Sequence, residues 1–153
     1  DAAAGVNKNA TVSNNQGVVA LFGGDVSEAK EMFSAASGAG AEVNYNKGIV
    51  AVKQADYSDA VSKFGSENTF NSALAKVLNG DNEGALKAIE ASEAKDSAEG
   101  YYLKAIIGAR TANKELMNNN LKSAIAKDSN LKTKAMNDAE FLKFRTDADF
   151  AAK

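Results

Sequence analysis

A spaced pattern recurs along the chain and limits it to one kind of architecture. The windows NNQGVVALFGGDVSEAKEMF (14–33), NYNKGIVAVKQADYSDAVSKF (44–64) and FNSALAKVLNGDNEGALKAI (70–89) share a register. Each carries a small residue (Gly17, Gly48, Ala73) and, seven positions on, a turn at Gly24-Asp25, Ala55-Asp56 or Gly80-Asp81. A second small residue follows (Ala29, Ala60, Ala85), then a large apolar one four positions later (Phe33, Phe64, Ile89). YYLKAIIGARTANKELMNNNL (101–121) is a weaker fourth copy, with Ala105, Ala112-Asn113, Met117 and Leu121 in those places. Between copies the offsets are 31, 25 and 32 residues.

Apolar residues on both sides of each turn recur at helical spacing, as in Val18, Leu21 and Phe22 and then Val26, Ala29, Met32 and Phe33. Each copy therefore reads as two helices joined by a tight turn. Asp25, Asp56 and Asp81 stand where an N-cap accepts orphan backbone N–H groups. Gly24 and Gly80 suit the left-handed residue that ends the first helix. Composition agrees, since the chain has 30 Ala and no Pro among its 153 residues. One hairpin cannot bury its own apolar stripe, so neighbours must stack.

The predicted fold is all-α: an α-solenoid of about four helical hairpins with a C-terminal capping helix. The repeats are placed at 11–40, 41–65, 66–95 and 96–127, within a repeat region 11–127. Ser66 is expected to cap the third repeat, and Asp96 with Glu99 to form a capping box before a helix over 97–111. Residues 128–153 form the cap, with Leu131, Ala135, Leu142 and Phe144 on one apolar face. Residues 1–10 read as a flexible remnant. A start at Asp1, with no Met or signal peptide, reads as a processed or excised piece.

The pattern resembles the tetratricopeptide repeat, whose small and aromatic signature positions fall on Gly17, Ala20, Gly24, Ala29, Phe33 and Ala36 in the first copy. In the second they fall on Gly48, Ala51, Ala55, Ala60, Phe64 and Glu67, so the last is lost. Trp and the terminal Pro, usual in that family, are absent. The whole stretch, including the runs YYLKAIIGART and NLKSAIAKDSNLK, is also similar to repeat segments of Bacteroidetes envelope proteins. That likeness implies a periplasmic or cell-envelope location, within a larger protein.

The family resemblance implies a protein or extended peptide held in a concave groove lined by the first helix of each pair. Carried over by position, the groove has the row Asn15, Asn46 and Asn71, whose amides could pair with a peptide backbone. Beside it lie Val18, Phe22, Tyr45, Ile49, Phe70, Leu74, Tyr102 and Ile106, with Lys53 and Arg110 as nearby cations. Too few cations are present for a carboxylate clamp. Under an alternative reading the repeats are an architectural spacer and those Asn residues bond within the protein. A third alternative is a small-ligand or glycan module built on Tyr45, Phe70, Tyr101 and Tyr102.

Enzymatic roles are narrowed by what is missing. With no Cys and no His there is no thiol nucleophile, imidazole base or His-ligated metal. Asp25, Asp56 and Asp81 are accounted for as caps, and Glu28, Asp59 and Glu83 as helix-start acids. The expectation is a non-catalytic chain with no cofactor and no metal. A net charge of −2 offers no field for nucleic acid, and the apolar runs are too short to span a bilayer. An uncapped first repeat could also stack against another molecule.

Overall fold

The computed structural model describes residues 2–38 and 40–153, with side chains described from Asn9 onward. Described residues form helices and turns, with no strand among them. The chain divides into two compact units, residues 1–66 and 67–153.

Unit 1 holds two hairpins, α1 (Ala2–Gly23) with α2 (Val26–Ala35), and α3 (Ala41–Lys53) with α4 (Tyr57–Phe64). Helix α2 packs on α3, and α1 also touches α3. Where the sequence sets residues 1–10 outside the first repeat, α1 already runs from Ala2.

Unit 2 pairs α5 (Phe70–Leu78) with α6 (Asn82–Glu90), then α7 (Ala98–Arg110) with α8 (Lys114–Lys127). A 3-10 turn, Glu93–Asp96, joins the pairs. Helix α9 (Asn130–Asn137) and a second 3-10 turn, Ala139–Phe141, follow.

All four hairpins close in the same way. In the first, Gly24 donates to the Leu21 carbonyl (3.2 Å) and Asp25 to that of Ala20 (2.9 Å). Ala55 and Asp56, Gly80 and Asp81, and Ala112 and Asn113 repeat that pair of bonds. This is the Schellman closure, which satisfies carbonyls that a helix end leaves free. The same Asp or Asn then caps the next helix: Oδ1 of Asp25, Asp56, Asp81 and Asn113 accepts from Glu28, Asp59, Gly84 and Leu116 backbone N–H groups.

Packing inside the hairpins follows size complementarity. A Cβ at Gly17 would lie 2.6 Å from Phe33 Cε1, and one at Gly48 would lie 2.7 Å from Phe64 Cε1. Where the small residue is Ala73, its partner across the hairpin is the shorter Ile89, in the same buried cluster. In the fourth hairpin Met117 replaces the small residue, and Gly108 makes room, since a Cβ there would meet the Met117 backbone N at 2.5 Å.

Several predicted caps are displaced. Ser97, not Asp96, caps α7, its Oγ accepting from Gly100 N–H at 2.9 Å, while Asp96 accepts from the Tyr101 hydroxyl. Thr69 rather than Ser66 caps α5, because Gly65 turns the chain at φ +57° and the helix resumes only at Phe70. At the C-terminus the expected continuous helix stops at Asn137, where Asp138 caps a new turn by accepting from Glu140 N–H. That break turns Phe141 inward and leaves Leu142 62% exposed, so Leu142 is not on the buried face; Leu131, Ala135 and Phe144 are buried.

Candidate functional site

The predicted groove residues of unit 1 go to three different environments. Val18 is half-buried against the cluster of Ala20, Ala29, Phe33 and Val50. Tyr45 packs edge-to-face on Phe64 with ring centroids 5.1 Å apart. Ile49 is half-buried and Lys53 is exposed. Phe22 is 90% exposed.

Its two Asn residues part company. Asn46 Nδ2 donates to Oδ1 of Asn14 at 3.0 Å, a side-chain bond between the two hairpins. Asn15 is exposed instead, on the α1 face that carries Val12 and Val19. One residue along a helix is a turn of about 100°, so the neighbouring position meets α3. Asn14 is the partner that the sequence register missed. The signal available was only the doublet Asn14-Asn15 itself.

In unit 2 the predicted residues mostly enter the core. Phe70 and Leu74 pack against the cluster of Ala73, Val77, Ile89, Leu103 and Ile107, and Asn71 is half-buried beside them in sequence. Ile106 touches both this cluster and the one built on Tyr102 and Phe141. Tyr102 is buried, packs edge-to-face on Phe141 at 5.6 Å, and donates its hydroxyl to Asp138 Oδ2 at 2.9 Å. Burial, with the bond to Asp138, raises its pKa well above the usual tyrosine range. Tyr102 is therefore a core residue rather than part of an open groove.

Arg110 is likewise engaged within the protein. Its Nε and Nη2 form a fork on Glu140 at 3.0 and 2.5 Å, and Nη1 donates to the Val77 carbonyl. The bond to Glu140 raises the Arg110 pKa further above its ordinary value, so this cation is always charged and already partnered. The chain after α9 supplies Asp138 and Glu140, which answers Tyr102 and Arg110 together.

Two clefts in unit 1 remain as candidate sites. One, of about 240 Å³, lies between α2, α3 and α4, floored by Phe33, Val50 and Ala51 and edged by Lys30, Lys47, Lys63, Asp56 and Asp59. It carries charges of both signs: Lys63 lies 3.7 Å from Asp59, and Lys30 Nζ donates to the neutral Gln54 Oε1 at 3.2 Å. The other is an open cleft of about 870 Å³ between α1 and α2, lined by Val12, Asn15, Gln16, Val19, Ala20, Gly23, Asp25, Glu28 and Met32. Its apolar wall can hold an apolar ligand surface and its acidic edge a cation.

Among the described residues no group of three or more acidic side chains is gathered to hold a metal ion. No helix among them is long and apolar enough to cross a membrane. No protein-family model, no curated protein and no solved structure matches the chain.

Proposed function

We propose that this chain is a non-catalytic scaffold of tetratricopeptide-like hairpins, stacked as an α-solenoid, that binds a protein partner. Apolar surface left uncovered on α1, where three of the four exposed large apolar residues among the described ones stand, carries the reading. Val12, Val19 and Phe22 all project from α1 into solvent, while Phe33, Phe64 and Ile89 are sealed. Contiguous exposed apolar surface of that kind marks interaction sites. Asn15, Phe22 and Lys53 are the members of the expected groove that are exposed in unit 1. A cell-envelope setting belongs to the same proposal and rests on the sequence likeness alone.

Selection of displayed random peptides against the chain tests this. Enriched ligands should lose affinity about tenfold or more with Phe22→Ala or Lys53→Glu, as central interface side chains do. Failure to enrich any ligand would overturn the binding role. It would then favour the second reading, an architectural spacer, which the bond between Asn46 and Asn14 supports because it uses a groove amide inside the protein.

A further inference from the structure

We propose that the outer face of α1 is a docking site for an amphipathic helix with the apolar chemistry of α2 and a basic flank. The partner helix would carry a small residue, an aromatic residue four positions later, and lysines beside them. This rests on the scaffold reading above and names the chemistry of its partner.

The internal repeat shows what such a face is shaped to receive. Moving 31 residues along the register takes Val12 and Val19 of α1 to Val43 and Val50 of α3. Val43 and Val50 are 2% and 4% exposed, whereas Val12 and Val19 are 48% and 72% exposed. Helix α2 packs on α3, and its Phe33 shares a buried cluster with Val50. The stripe therefore exists twice in unit 1, once buried, with Val50 beneath Ala29 and Phe33 of α2 and beside Ala20 of α1, and once exposed.

Seven of the nine residues lining the outer cleft have their counterparts, 31 residues on, in the lining of the inner one. Asp25 and Glu28 edge the outer one as Asp56 and Asp59 edge the inner one, 31 residues on. Their charges differ in one respect. Lys47 and Lys63 line the inner cleft, and Lys63 pairs with Asp59, but Gln16 and Met32 stand at the matching places of the outer cleft. Among the described residues no lysine or arginine lines the outer cleft, so none of them balances its acidic edge. A helix with the stripe of α2 and added lysines complements both the apolar wall and that edge. The helix α2 itself brings Lys30 to the inner cleft, where it bonds Gln54.

A hydrocarbon-stapled peptide of residues 24–37 carrying Glu28→Lys and Glu31→Lys is the probe, titrated against the isotope-labelled full chain. The expected result is saturable binding, slowed amide exchange across residues 12–22, and an affinity that falls with added salt. Val19→Asp should weaken it about tenfold or more by placing a charge against the apolar stripe, without moving the melting temperature of the free chain. Met32→Lys, which restores the lysine of the second repeat, should weaken the basic peptide and leave the unaltered acidic peptide unweakened.

Equal binding to Val19→Asp overturns the proposal, and so does absence of binding. A chain that dimerises through this face and excludes the peptide overturns it as well. If displayed peptides bind the chain but the stapled helix does not, the helix assignment falls and the scaffold reading stands. If neither binds, both fall.

Discussion

The first hairpin of unit 1 and the last hairpin of unit 2 close on the same turn but end in opposite ways. Behind α7 and α8 the chain continues into its own cover. Leu131 and Ala135 of α9, then Phe141, Phe144 and Phe150, join Tyr102, Met117 and Leu121 in one buried cluster. Polar links fix that cover in place: Asn118 accepts from Ala151 N–H at 3.0 Å, Lys114 meets Asp147 at 2.7 Å, and Arg110 holds Glu140. The α1–α2 hairpin has its own stripe of Val12, Val19 and Phe22 and no such cover among the described residues. Since a hairpin's second apolar face needs a neighbour, the covered end shows how much of the chain a satisfied face recruits.

The largest expected contrast is between aromatic truncations at the two ends. Phe141→Ala should destabilise unit 2 by about 3–5 kcal/mol, because a fully buried ring leaves a cavity. Phe22→Ala should stay within about 0.5 kcal/mol, as exposed substitutions do. Urea denaturation of both variants reads the difference. A large loss from Phe22→Ala would mean that the α1 face is covered in solution, and the contrast between the ends would collapse.

A smaller effect tests the polar side of the covered end. Tyr102→Phe deletes the hydrogen bond to Asp138 and should cost on the order of 1 kcal/mol at neutral pH. The pH dependence has a definite sign. In the unfolded chain Tyr102 ionises near its ordinary pKa of about 10, while the folded protein holds the proton to higher pH. Its stabilising contribution is thus complete below about pH 10 and is lost as pH rises through and beyond that value. Thermal unfolding between about pH 8 and pH 11 should therefore fall less steeply in Tyr102→Phe than in the parent. Identical slopes would place the hydroxyl in solvent.

These contrasts also separate what the sequence could show from what it could not. The turns were legible because their chemistry is local: a capping Asp stands in three copies, beside a glycine suited to the left-handed region in two, while the left-handed Ala55 and Ala112 and the cap at Asn113 emerge only in the structure. The recurrence of Gly17 and Phe33, and of Gly48 and Phe64, at fixed spacing was legible, but the packing of each ring on its glycine across the hairpin was not. Tyr102 and Arg110 were misplaced because their partners, Asp138 and Glu140, lie 36 and 30 residues away along the chain. Helical spacing within one repeat says nothing about a segment that folds back from beyond it. Leu142 failed for a related reason, since Asp138 can start a new turn as readily as it can sit on a continuing helix. Asn14 and Asn15 differ by one helical step, which is finer than a repeat register resolves.

The smallest effect lies in the turns. Gly24 and Gly80 have φ of +85° and +87°, while Ala55 and Ala112 sit at +60° and +56° in the same place. A left-handed alanine costs about 1–2 kcal/mol relative to the right-handed form. Replacing it by glycine removes that cost but loosens the unfolded chain by roughly 0.4–1 kcal/mol. Ala112→Gly should therefore stabilise the last hairpin by a few tenths to about 1 kcal/mol, and Gly24→Ala should destabilise the first by a similar amount. Both are read from the shift in denaturation midpoint at unchanged slope. Opposite signs of matched size would show that one turn serves both ends and that their difference lies wholly in what covers them. A stabilising Ala112→Gly with a neutral Gly24→Ala would show instead that the turn beside the bare face already relaxes its geometry.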